Sequence, residues 1–162
     1  MIGIVVHREE ASTTELWRGT RLTAMKAVTE INGTRTEIDG VADKDAFVVS
    51  SSAGTRIAPA EVKPSDPWAL TGVGRGVIVS TRSGIVEGVN VSGGEAAPLT
   101  VEGRRVESRH FRIDAASQPN RYEVWLDGNG VPVRFRSREA PGAPINFVLV
   151  SPDSQRGALS LP

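Results

Sequence analysis

Glu123-Val124-Trp125-Leu126-Asp127-Gly128-Asn129-Gly130-Val131-Pro132-Val133-Arg134-Phe135 decides the fold class of this chain. Tyr122, Val124 and Leu126 recur at every second position before the turn residues, and Val131, Val133 and Phe135 recur at every second position after them. That period of two gives each arm one apolar face. Asp, Asn and Gly between the arms are the residues that a tight reversal selects. The stretch is therefore a β-hairpin. Its other face carries Glu123 and Trp125, then Arg134 and Arg136.

The pattern extends in both directions. Downstream, residues 145–150 place Ile145, Phe147 and Leu149 on one face and Asn146 on the other, which predicts a closing strand. Upstream, Val and Thr content in residues 22–31 and the following Asn32-Gly33 predict a strand and a hairpin turn. Residues 34–39 form the return arm, residues 46–50 the next strand, and Ser51-Ser52-Ala53-Gly54 the next turn, with residues 55–58 a further strand. Residues 77–80, 85–91 and 98–101 continue the series, with turns at Arg82-Ser83-Gly84 and Ser92-Gly93-Gly94. Residues 98–101 are expected to pair with residues 106–113 across Glu102-Gly103. Residues 1–7 read as a first strand, too short and without the basic leader of a signal peptide.

Pro59, Pro64 and Pro67 forbid a central strand between them. Asp66-Pro67 has the grammar of a helix start, so one short helical turn is expected at residues 66–70, with Trp68 and Leu70 pressed on the sheet. The fold class is all-β: an antiparallel, open or closed barrel-like sheet of about nine to eleven strands. Residues 1–150 are expected to form one β-domain, and residues 151–162 a mobile tail.

Composition narrows the chemistry. Of 162 residues, 19 are Lys or Arg and 19 are Asp or Glu, so the formal charge is zero. The basic excess of a nucleic-acid binder is missing, and no nucleic-acid partner is expected. The chain contains no cysteine, which removes disulfides and thiolate chemistry. With only His7 and His110 as further soft donors, a zinc site is not expected. No apolar run reaches the length of a transmembrane helix. Gly72-Val73-Gly74-Arg75-Gly76 lacks the spacing of a dinucleotide fingerprint. No Gly-x-Ser-x-Gly elbow occurs, which excludes the common α/β-hydrolase arrangement.

The ordered set Thr14-Glu15-Leu16-Trp17-Arg18, Arg21-Leu22-Thr23-Ala24-Met25, Pro64-Ser65-Asp66-Pro67-Trp68, Ser80-Thr81-Arg82-Ser83-Gly84 and Arg109-His110-Phe111-Arg112-Ile113, ending on the hairpin above, resembles an uncharacterised family of bacterial β-proteins. That family is catalogued only as a domain of unknown function. The resemblance covers residues 14–150. It implies an antiparallel barrel with an apolar interior and a periplasmic or secreted location, and it supplies no catalytic residues. Against its pattern the chain looks shortened at the N-terminus, without a signal and a first hairpin, and Leu126 stands where an aromatic is usual.

Three functions compete on this reading. The first is binding of an apolar or amphipathic small molecule. Trp17, Trp68 and Trp125 are its candidate contacts, with Glu15 and Glu123, each two residues before a tryptophan and so on the same strand face. The second is hydrolysis of an ester or lactone, with His110, Asp114 and Asp127 as catalytic candidates for carboxylate-, histidine- or metal-assisted attack of water. Calcium is the cation considered, with Asp127 and Asn129 as ligands. Asp39, Asp43 and Asp45 around an expected Gly40 turn form a second acidic cluster, and turn preference alone accounts for both. The third is an envelope assembly role through an exposed sheet edge, giving a homodimer. With Phe111 and Ile113 facing inward, His110 is expected on the outer face beside Ser108 and Arg112.

Overall fold

The computed structural model describes residues 8–70, 75–116, 121–138 and 144–148. Fourteen strands and no helix are found among them. The chain divides into two compact units, Met1–Val89 and Asn90–Pro162. The strand expected at residues 1–7, Gly72 and Gly74, Leu149 and the tail lie outside the described residues.

The first unit opens with an antiparallel meander of β1 (Glu9–Arg18), β2 (Arg21–Ile31), β3 (Thr34–Asp43), β4 (Ala46–Ser51) and β5 (Gly54–Pro59), hydrogen-bonded in chain order. Two residues separate each strand from the next. Asn32 and Gly33 both have positive φ, 50° and 83°. That is the type I′ geometry whose twist matches paired strands, as their sequence requires. The inner face buries Leu22, Met25, Ala27, Ile38, Phe47, Val49 and Ala58 in one cluster, joined by Val62 and Val79.

Gly40, expected in a turn, lies instead within β3. A Cβ there would stand 2.4 Å from the Phe47 ring, so the glycine is the space that the ring fills. Asp39 accordingly sits on a strand, 3.9 Å from Lys26.

β6 (Lys63–Pro64) pairs in parallel with β7 (Arg75–Val79). It is only two residues long, and Pro64 stands in it at a sheet edge, where a missing N–H costs nothing. Residues 66–70 make one turn, with Asp66 Oδ1 accepting from the backbone N–H groups of Trp68 and Ala69 at 2.8 and 3.1 Å. Leu70 is buried as expected. Trp68 is 57% exposed, not pressed on the sheet, because the single turn is too short to aim both side chains inward.

β8 (Val86–Ala96) runs from the first unit into the second. The turn expected at Ser92-Gly93-Gly94 is absent: the strand continues through it, with φ of 101° at Gly93 and 98° at Gly94. In the second unit β8 is followed by a small hairpin, β9 (Leu99–Val101) with β10 (Arg104–Val106), and by β11 (Arg109–Ala115). The single strand expected over residues 106–113 is instead two, β10 and β11, and only β10 pairs with β9. Ser108 breaks the run, its Oγ donating to the Ala97 carbonyl at 2.6 Å. β12 (Arg121–Leu126), β13 (Pro132–Arg138) and β14 (Ile145–Val148) complete the order β14-β13-β12-β11-β8. Ile113, Tyr122, Val124, Val133 and Phe135 are buried on one face. Phe147, on β14, stacks 6.2 Å from Phe135 yet remains half-exposed, because among the described residues β14 has a neighbour on one side only. The fold is all-β, with one sheet curled into a half-barrel.

Candidate functional site

Four places in the structure hold chemistry, two in each unit. On the meander's outer face, even positions of β1, β2 and β4 and odd positions of β3 point the same way. Thr14, Leu16, Ala24, Lys26, Asp39, Val41, Val48 and Ser50 there bound an open hollow of about 370 Å³, floored by Met25 and Gly40. Leu16 is 61% and Val41 55% exposed, so large apolar groups face solvent. Large exposed apolar side chains gathered in one hollow are unusual on a strand face that contributes nothing to the core.

The inner-facing side of β1 carries the second place. A register shift between Leu16 and Trp17 swings the strand end. The Trp17 indole N–H donates to Glu15 Oε2 at 2.9 Å, and the Lys63 ammonium stands 4.5 Å over the indole. Glu15 also meets the carboxyl of Asp66, whose Oδ1 is already engaged by the turn it caps. Two carboxyls in contact are stable only when they share a proton. Partial burial, then the charge of Asp66 and the hydrogen bond to it, push Glu15 up to about 7, and the Trp17 N–H opposes this.

In the second unit, β11, β12 and β13 put His110, Trp125 and Arg134 side by side on one face. The imidazole stacks on the indole with centroids 4.3 Å apart. The guanidinium groups of Arg134 and Arg136 lie 5.2 and 5.5 Å from the indole centre. His110 Nε2 stands 2.9 Å from Glu123 Oε2, and Nδ1 stands 3.4 Å from Glu95 Oε1. The Glu95 carboxyl is held below the usual range, first by a hydrogen bond from its own backbone and then by His110. His110 lies on the β11 face opposite Ile113, the face expected for it, and shares that face with Arg112. Its exposure is not that of a wet face: His110 and Trp125 are each under a tenth exposed, because ring covers ring.

The fourth place is a hollow of about 410 Å³ lined by Arg121, Glu123, Arg136, Ser137, Arg138, Pro144 and Ile145.

Of the residues singled out from sequence, Glu15 with Trp17 and Glu123 with Trp125 are brought together as pairs. Trp68 donates its backbone N–H to the Asp66 cap described above. His110, Asp114 and Asp127 are not brought together. Asp114 shares the His110 face but lies about 13 Å further along β11, where it receives Arg121 Nε at 2.8 Å. Asp127 Oδ1 accepts from the N–H groups of Asn129 and Val131 at 2.8 and 2.9 Å, closing its own turn. Among the described residues no group of three or more His, Asp or Glu is placed to hold a metal ion. Glu95 and Asp66 were missed. Asp66 was read as a cap, which it is; its second carboxyl oxygen was the signal.

Residues 1–150 match a sequence family described as a domain of unknown function (DUF6134). No curated protein and no solved structure matches the chain.

Proposed function

We propose that this chain, which belongs to the DUF6134 family, is a binding module for a small amphipathic molecule, seated in the hollow on the outer face of the meander. The observation that carries the reading is the lining of that hollow: Leu16, Ala24, Val41 and Val48 are its apolar wall, and Thr14, Lys26, Asp39 and Ser50 its polar rim. Its volume of about 370 Å³ falls in the range of small-molecule sites. An apolar body against the valines and a polar end at Lys26 and Asp39 satisfy both halves of the lining.

The test is titration with the dye 1-anilinonaphthalene-8-sulfonate, followed by displacement with sodium laurate. Saturable binding is expected, weakened about tenfold or more by Val41→Glu, which puts a charge in the apolar wall. Ile57→Ser, on the same face but outside the lining, leaves it unchanged. Dye binding that ignores Val41→Glu would sink the reading.

A second reading, hydrolysis of an ester or lactone by carboxylate-assisted attack of water, is favoured by one observation. Glu15 keeps its proton to about 7 beside Asp66, and a carboxyl raised toward neutrality is suited to general acid–base work there. Calcium at Asp127 and Asn129 finds less support, since the only carboxylate there already accepts two backbone N–H groups. The edge position of β1 in the meander's order is what favours an assembly role.

A further inference from the structure

The chain carries no net charge, yet β13 presents Arg134, Arg136 and Arg138 in succession on one face. Arg134 is engaged by Asn146 Oδ1, to which its Nε donates at 3.0 Å, and it lies over Trp125. Arg136 reaches the same Asn146 oxygen only at 3.4 Å. It stands directly across from Glu123, but that carboxylate is turned to His110. Arg138 stands directly across from Arg121, and like charges in that position repel. Arg121 is compensated by Asp114 on its other side. Arg138 has no carboxylate partner among the described residues. The hollow of about 410 Å³ opens where Arg121, Arg136 and Arg138 converge. Ser137 joins the lining, and its buried hydroxyl has no hydrogen-bond partner among the described residues. Pro144 and Ile145 supply an apolar wall.

Two adjacent strands thus bring three guanidinium groups to one concavity; among the described residues Asp114 pairs with Arg121, and Glu123, the acid in the lining, places its Oε2 on His110 Nε2. An anion between Arg121 and Arg138 would offset the like-charge repulsion of that cross-strand position. Guanidinium groups recognise oxyanions through paired, parallel N–H donors, which a lone ammonium lacks.

We propose that the hollow bounded by Arg121, Arg136 and Arg138 binds the oxyanion of a small organic molecule, with the organic part against Pro144 and Ile145. The site is separate from the one on the meander, and it stands or falls independently of it.

The experiment follows backbone and arginine Nε–H resonances of the whole chain during titration with inorganic phosphate, succinate and the neutral succinamide. Saturable shifts confined to the β12–β13 arginines are expected on the order of 1 mM for an anion, and none for succinamide. Saturation by phosphate alone assigns a phosphate-bearing ligand, by succinate alone a carboxylate, and by both the shared oxyanion chemistry; each supports the proposal. Arg138→Gln weakens binding about tenfold, Arg138→Lys by less, since charge remains without the fork. Should Arg138→Gln fail to fold, Arg136→Gln serves as the second variant with the same expected loss. Arg104→Gln, on the separate β9–β10 hairpin, leaves binding unchanged. Absence of saturable shifts, shifts shared by succinamide, or equal weakening by Arg104→Gln overturns the proposal.

Discussion

Two Glu-x-Trp pairs, Glu15 with Trp17 and Glu123 with Trp125, have the same spacing and opposite fates. On β1, with a strand neighbour on one side only among the described residues, Glu15 turns back to the indole of its own pair, and Trp17 stays 38% exposed under the Lys63 ammonium. On β12, with strands on both sides, Glu123 leaves its tryptophan for His110, and Trp125 is closed between the imidazole and two guanidinium groups. Side-chain spacing fixes only which residues share a face. Whether the face is covered depends on how many neighbouring strands contribute side chains to it, and that is a property of the sheet order.

The largest expected effect sharpens this contrast directly. Trp125→Ala should lower the unfolding free energy by about 3–5 kcal/mol, as deletion of a buried aromatic does. Trp17→Ala should cost about 1 kcal/mol or less, in the range of exposed positions. Urea denaturation of the two variants measures both. Equal losses would mean that strand position does not separate the pairs.

Gly93→Ala comes next. The added Cβ would stand 2.6 Å from the His110 carbonyl oxygen at a φ of 101°, so strain and steric clash together should cost about 2–3 kcal/mol. The loss should come with a shift of the His110 imidazole resonances, because β8 carries Glu95 against that ring. A clean loss of stability without that shift would detach Gly93 from the aromatic stack.

The smallest effect belongs to the edge pair. Glu15 is raised from 4.5 to about 7 in the folded chain. Its protonated form is therefore the one the fold favours. Stability is fully present below 4.5 and is lost as pH rises through 7. With the group only partly buried, solvent screening holds the loss to about 1 kcal/mol. Glu15→Gln keeps the indole's acceptor and supplies an N–H toward Asp66, so its stability should be flat over that window and higher than the parent by about 1 kcal/mol at pH 8. Thermal melts between pH 4 and pH 8 check it; parallel profiles for the two proteins would break the assignment.

Local chemistry made much of the fold legible. Asn32-Gly33 and Glu102-Gly103 announce their hairpins because few residues tolerate positive φ. The same logic misread Gly40 and Gly93-Gly94, where glycine answers a close approach instead of a turn: the Phe47 ring at one, the β11 backbone at the other. Reading a turn there hid the end of β8, and Glu95 with it. The candidate sites were legible only in their local halves. Glu15-x-Trp17 could be seen in one segment, but Asp66 arrives from a different element, and spacing along a chain does not encode that meeting. His110 was legible, but its partners Glu123 and Glu95 come from other strands, and the position of Asp114 and Asp127 along the chain does not encode which carboxylates the ladder brings to the ring.

The two-residue connections of the meander have a consequence in time. Each of β2 to β5 finds its partner by closing the shortest loop a hairpin permits, so the first unit is built from local contacts formed on the microsecond scale of single hairpins. β11 must instead bypass the β9–β10 hairpin to reach β8, and a longer loop closes against a larger entropy. Contacts of low sequence separation form fast and those of high separation slowly. The Gly93 contact, on which the aromatic stack depends, therefore belongs to the late part of folding, after the meander has already taken its register.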